Sequence, residues 1–147
     1  MSGEQLFEIA IKLFVRHEGR LLVLTAGNTG AGDFPGGRLA PVDSLFDLQS
    51  SMKREILEEL GSDVRLKVGT KPLFHFPYTS KNDTVEVLGL AHAADWAGGA
   101  IRLSDEHTGY QWLQPQDALG HFRDHFLAGL RMYLPHHHKP LGDSFLM

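Results

Sequence analysis

Leu45, Leu48, Met52, Ile56 and Leu60 recur three or four residues apart, and Gly61 interrupts the pattern. That spacing predicts an amphipathic helix whose apolar stripe has to be covered by something else, with Gly61 as its C′ residue. Ser44 and Asp47 precede it three apart and resemble a capping box with Asp in place of Glu or Gln. The cover comes from strand-like runs on either side. Residues 6–15 alternate, with Phe7, Ile9, Ile11, Leu13 and Val15 on one face, and His17-Glu18-Gly19 turns them into the apolar run 20–25 as a hairpin. Residues 26–41, rich in Gly, Asn and Pro, are expected to form an irregular loop. Further strands are predicted at 73–76, 84–92, 100–103 and 110–113, with a polar turn at 80–83. A second helix is predicted over 115–134, with Leu119, Phe122, Phe126, Leu130 and Tyr133 as its stripe and Pro135 as its stop. The tail from His136 to Met147 shows no pattern and is expected to be mobile. Strands interrupted by helices predict an α/β or α+β fold, a mixed sheet carrying helices, in one domain over 1–147 without repeat or linker.

Composition narrows the function. A chain of 147 residues with 42% hydrophobic and 22% charged residues can bury a core. No apolar run approaches the roughly 18 residues of a membrane helix, and Met1 to Gln5 lacks the basic and apolar segments of a secretory signal. The absence of cysteine excludes disulfide scaffolds, thiol catalysis and thiolate zinc sites. A net charge of −4 argues against coating a macromolecular nucleic acid. The expectation is a cytoplasmic protein with neither membrane nor nucleic acid as partner. A small phosphate-bearing ligand held through metal ions stays open.

The helix ends with the wrong charges. Arg54-Glu55-Ile56-Leu57-Glu58-Glu59 brings three carboxylates to its last turns, where the helix dipole disfavours each by roughly 0.3–1 kcal/mol. Glu55 and Glu59 are like charges at i,i+4, and an Arg54–Glu58 pair offsets only part of this. A solvated acidic face is the plain alternative. Clustered hard oxygen donors instead suit Mg²⁺ beside substrate phosphates.

The segment 37–62 resembles the signature of the Nudix hydrolases, G-x5-E-x7-R-E-U-x-E-E-x-G-U with U a bulky aliphatic residue. Gly37, Arg54, Glu55, Ile56, Glu58, Glu59 and Gly61 match, and Phe34-Pro35-Gly36 leads in as it does in the family. The likeness extends to the hairpin, to Ser104–His107 ahead of Tyr110–Leu113, and to 115–119. Three departures stand out: Asp43 replaces the first Glu, ten residues separate it from Arg54 where the family has seven, and Ser62 takes the last aliphatic place. The resemblance implies an α/β/α sandwich and hydrolysis of a nucleoside diphosphate linked to another moiety, with Mg²⁺ or Mn²⁺. It implies Glu55, Glu58, Glu59 and the Gly37 carbonyl as metal ligands, Glu55 or Glu106 as general base, and Arg54 as the residue that orients Glu55. Either Asp43 or Asp47 would hold Arg54. Arg38, Phe34 and Tyr78 are candidates for substrate contact, and Glu86 is a weaker candidate ligand. Pro77 and Tyr78 sit side by side where one or the other hints at ADP-ribose or dinucleoside polyphosphate substrates, so the hint gives both answers. A Nudix-fold module that senses a nucleotide without turnover is the alternative, supported by the altered junction. Many relatives pair, which carries a homodimer as a candidate.

Outside this segment, His121 and His125 at i,i+4 have chelating spacing but no third ligand, and His136-His137-His138 could bind metal adventitiously. No Ser-His-Asp ordering, P-loop or Rossmann glycine pattern occurs.

Overall fold

The computed structural model describes residues 3–80 and 83–147, so Lys81 and Asn82 of the expected turn at 80–83 lie outside the described residues. In chain order the strands are β1 (Glu8–His17), β2 (Arg20–Ala26), β3 (Gly32–Asp33), β4 (Gly36–Arg38), β5 (Arg65–Gly69), β6 (Phe74–Thr79), β7 (Glu86–Gly98), β8 (His107–Leu113) and β9 (Ser144–Leu146). The α-helices are α1 (Leu48–Leu60), α2 (Pro115–Ala118) and α3 (Asp124–Tyr133). The result is an α+β fold in which helices pack on a mixed sheet.

Two long strands make the spine. β1 and β7 run parallel, from Glu8 opposite Val87 to Arg16 opposite Asp95. Each is long enough to be shared by two partners on its other side. β4 takes Ala10 to Lys12 of β1, whereas β2 takes Arg16 and His17. On β7, β6 pairs with 86–91 and β5 with 94–98. β8 lies outside β2, and β9 outside β5. A parallel pair in mid-sheet must be covered on both faces, and the sequence of β1 allows it. Ala10 and Phe14, with Leu21 and Val23, form the core under α3; Ile11, Leu13 and Val15, with Leu22 and Leu24, form the core under α1. The strand is therefore apolar on both faces, where alternation alone predicted one.

The departures from expectation have identifiable causes. The helix predicted from residue 45 starts at Leu48, because Asp47 is its N-cap and accepts from the Ser50 amide at 3.2 Å. Leu45 is left exposed, and Ser44 instead accepts from Phe46 N at 3.1 Å. The loop 26–41 contains β3 and β4. Residues 100–103 form no strand; they seal the end of α1, with Arg102 N donating to Leu60 O at 2.8 Å. The helix expected over 115–134 is broken. Leu119–His121 is a 3-10 turn, and Phe122 and Arg123 are extended at ψ 157° each. The break turns Phe122 inward, where it stacks on Phe34 with centroids 4.4 Å apart. Pro135 sits in a further 3-10 turn, Leu134–His136.

The tail is docked, contrary to the mobility expected of it. Arg16 donates to the carbonyls of His137 at 3.0 Å and Lys139 at 2.6 Å, and pairs with Asp95 at 2.8 Å. Leu66 and Met147 exchange backbone bonds at 3.1 and 2.9 Å. No helix among the described residues is long and apolar enough to cross a membrane.

Deleting residues 143–147 should uncover β5 and the apolar contacts of Phe145 and Met147. The expected loss is about 2 kcal/mol, read as a fall in Tm of about 4–8 °C. An unchanged Tm would show that the docked tail adds nothing to stability.

Candidate active site

The carboxylates at the end of α1 lie against β4, and the two glycines of β4 are what allow it. Gly36 has φ +135°, and a Cβ there would stand 1.9 Å from the Ile11 carbonyl oxygen, so only glycine fits. Its amide donates to Glu59 Oε2 at 2.9 Å. A Cβ on Gly37 would lie 2.5 Å from Glu55 Oε2, so that carboxylate occupies the space a side chain would fill. The small pocket among Gly36, Gly37, Ser51, Met52, Glu55 and Ile56 has a volume of about 10 Å³, room for one water. On the solvent side of α1, Glu58 is exposed.

Arg54 organises this side. Its guanidinium makes a two-pronged contact with Asp43, Nη2 to Oδ2 at 2.9 Å and Nη1 to Oδ1, and donates from Nη2 to Glu55 Oε1 at 3.1 Å. Glu58 follows at 3.8 Å. Asp43 in turn accepts from Ala40 N at 2.5 Å. The Arg54 guanidinium and this amide hold the Asp43 carboxyl at about 2. Of the two candidates for holding Arg54, Asp43 contacts it across the inserted residues. Asp47 is taken up by the helix cap and by Ser50 Oγ at 2.7 Å. Burial raises the Glu55 carboxyl above its ordinary value, against the opposing pull of Arg54.

Glu59 faces inward and is 6% exposed. Burial raises its carboxyl to about 7, although Lys12 opposes this. Lys12 is a lysine in the middle of β1, on the α3 face of the sheet. Its Nζ donates to Asp33 Oδ1 at 3.2 Å and to the Phe34 carbonyl at 3.3 Å, and lies 5.5 Å from the Phe126 ring centroid. Burial alone would lower the ammonium, but Asp33 and Glu59 hold it above the usual lysine value. Asp33 also accepts from His107 Nε2 at 2.9 Å. Against the effect of burial, Lys12 and His107 keep Asp33 ionised, at about 2. Burial likewise works to lower His107, and Asp33 overcomes it, raising the imidazole. Finally, Glu59, Glu106 and His107 each offer a ligating atom within 4.8 Å of the other two. Hard carboxylate oxygens in that arrangement, and a buried His107 Nδ1 with no hydrogen-bond partner among the described residues, fit a divalent cation.

Other candidates are placed elsewhere. Phe34 is fully buried, with Phe14 at 4.2 Å and Phe122 at 4.4 Å on its ring, so it is a core residue and no surface for a base. Tyr78 is buried against Phe126 at 4.9 Å. Arg38 already pairs with Glu8 at 3.2 Å and Asp83 at 3.0 Å. Glu86 accepts from Thr79 Oγ1 at 2.9 Å and stands outside the cluster. The helix break separates His121 from His125, which removes their chelating spacing. His137 is structural: Tyr133 OH donates to its Nδ1 at 2.7 Å and its Nε2 donates to Gly19 O at 2.9 Å. Sequence reasoning missed Lys12, Asp33 and His107. A lysine inside Ala10-Ile11-Lys12-Leu13-Phe14 was the available signal, since a buried charge demands a partner.

Two outcomes are expected. Lys12→Ala would leave Asp33 and Glu59 without their buried counter-charge and should cost about 3–5 kcal/mol in urea unfolding; a cost under 1 kcal/mol would mean the pairing is dispensable. The second is a pH dependence without metal. Glu59 is raised from 4.5 to about 7 on folding, so the native state binds its proton more tightly. Its contribution is intact below pH 4.5 and is lost as pH rises through about 7. In EDTA, wild type should lose stability relative to Glu59→Gln between those limits. Parallel unfolding curves for the two proteins at both pH values would contradict the assignment.

The family model for the NUDIX domain matches residues 7–131. A MutT-like protein of Streptomyces ambofaciens is 30% identical over 103 residues, 70% of this chain and 60% of that protein. The chain thus spans about three fifths of the length of that relative. Among solved structures, the MutT protein of Methanosarcina mazei Go1 superposes with a TM-score of 0.73 at 23% identity, over 94% of this chain and 100% of that one. A C. elegans Ap4A hydrolase superposes with a TM-score of 0.67 at 19% identity, covering 88% and 96%. The family match covers most of the chain, and both halves of the signature meet in one place in the fold: the chain belongs to the Nudix family.

Proposed function

We propose that the protein hydrolyses a phosphoric anhydride bond in a nucleoside diphosphate linked to another moiety, with Mg²⁺ or Mn²⁺. The observation that carries this reading is the Asp43–Arg54–Glu55 chain beside Glu58 and Glu59 on the glycine strip of β4. A helix that tolerates three acids at its C-terminal end while one arginine and two glycines fix their positions is arranged for a cation and a polyphosphate.

Glu55, Glu58, Glu59 and the Gly37 carbonyl would hold the metal, and Glu106 has a carboxylate oxygen within 4.8 Å of a Glu59 oxygen. When bound, the metal neutralises charge on the diphosphate and eases deprotonation of water. The chain supplies position and protons. Arg54 fixes the rotamer of Glu55, and burial leaves that carboxylate more basic than an ordinary glutamate, which suits a general base. Phosphoryl-type transfer asks for little covalent chemistry from the protein, so a rigid charge arrangement is the main requirement.

The substrate class takes in a nucleoside triphosphate, an ADP-ribose-like compound or a dinucleoside polyphosphate. Structural relatives named for Ap4A and for dihydroneopterin triphosphate show how widely this fold is used. A sensing module without turnover drew on the altered junction; with Asp43 contacting Arg54, nothing in the geometry favours it. A homodimer and a cytoplasmic setting stay part of the reading, and sedimentation tests the first.

Incubating the protein with a panel of these compounds, with and without Mg²⁺, should show metal-dependent turnover of at least one. Glu58→Gln should lower kcat on the order of 100-fold with Tm kept or raised in the absence of metal. Mg²⁺-dependent nucleotide binding without turnover of any compound would replace the hydrolase with the sensor.

A further inference from the structure

Asp33, His107 and Lys12 form a chain that the proposed reaction does not by itself require. His107 is buried, and its Nε2 is committed to Asp33 Oδ2 at 2.9 Å. Asp33 is kept anionic by Lys12 at 3.2 Å, so the bond runs from Nε2–H to a carboxylate. In the neutral ring the proton is thereby placed on Nε2, and Nδ1 carries the lone pair. That Nδ1 is buried and has no hydrogen-bond partner among the described residues. A buried imidazole nitrogen without a partner is costly, and a carboxylate holding the opposite nitrogen is the usual support of a metal-ligating histidine. The same side chain stands within 4.8 Å of ligating atoms of Glu59 and Glu106.

We propose that His107 is a nitrogen ligand at this site, completing a set with Glu59 and Glu106, and that it shifts the metal preference from Mg²⁺ toward Mn²⁺ and later first-row dications. This rests on the reading that the acidic end of α1 holds a metal. The chemistry of the preference is direct. Mg²⁺ favours oxygen donors and gains little from imidazole, whereas affinity for nitrogen donors rises along the series from Mn²⁺ to Cu²⁺. Asp33 sets the tautomer, and Lys12 keeps Asp33 from taking the proton. Lys12 and Asp33 are thus positioning residues for a ligand on a different strand. β8 brings that ligand in beside Glu106, whose carbonyl is held by the Gly27 amide at 2.8 Å.

The test uses Mn²⁺ alone as the probe. Electron spin-echo modulation of the Mn²⁺-loaded protein should show nitrogen coupling from one imidazole. His107→Gln, whose amide can still donate to Asp33, should abolish that coupling while Mn²⁺ stays bound. Calorimetry should show Mn²⁺ and Co²⁺ affinity falling about 10–100-fold in the variant, with Mg²⁺ affinity changed by less than about threefold. Should the variant fail to fold, long-range ¹H–¹⁵N spectra of wild type with Zn²⁺ give the same answer: one Nε2-protonated ring should change its Nδ1 shift. Bound Mn²⁺ without nitrogen coupling, coupling that survives in His107→Gln, or no ring responding to Zn²⁺ would overturn the proposal and leave the carboxylate site standing. Failure of any dication to bind would instead remove the metal site itself, and this ligand with it.

Discussion

A glutamate with no place in solvent governs the architecture around α1. Glu59 has its carboxylate against the Gly36 amide and almost no contact with water, and a bare charge so placed is expensive. The molecule answers with a lysine threaded through the middle of β1. Lys12 cannot be satisfied by Glu59 alone, so Asp33 joins it, and Asp33 in turn brings His107. Each added group relieves the one before it and creates a further need. The sequence of compensations ends on His107, whose Nδ1 has no hydrogen-bond partner among the described residues and which belongs to the group of ligating side chains with Glu59 and Glu106. Burial of opposite charges rarely adds stability compared with apolar packing. Its presence across three strands and a helix is better understood through the site than through the core.

The sheet is built to make that burial possible. β1 has to be covered on both faces because it pairs in parallel with β7, yet one position on its α3 face carries an ammonium. The register sets Lys12 opposite Gly36, so the charge and the glycine strip sit side by side in adjoining strands. β4 is only three residues long. Its two glycines leave the space beside α1 to the carboxylates of Glu55 and Glu59.

Much of this was legible in the chain, and the rest failed for physical reasons. The acid-rich end of α1, Arg54 and the paired glycines stood out because they break local rules: charges opposed to a dipole, and residues of special backbone freedom in a row. Asp43 and Asp47 could not be separated as partners of Arg54, because the choice depends on how the inserted residues loop. Lys12, Asp33 and His107 are far apart in sequence, and only strand pairing joins them. The break at Phe122 was hidden because its apolar stripe continues through it; the pull of Phe34 on that ring is a tertiary effect. β5, with Leu66 and Val68 alternating over five residues, was not predicted, and the three-residue β9 pairs along its edge.

The link between Asp43 and Arg54 bridges whatever lies between them, and that has a consequence for how such a chain can change. Leu45 and Phe46 protrude, with Phe46 wholly exposed, while Asp43 and Asp47 on either side are each pinned by their own bonds. Between two fixed posts the cord can lengthen or shorten without tugging on either. Loop-closure cost grows slowly with length, by about 0.6 kcal/mol per doubling. This stretch can therefore drift in size and composition while the reactive groups stay where they are. Variation concentrated there would change the surface next to α1 and leave the Asp43–Arg54–Glu55 contacts in place.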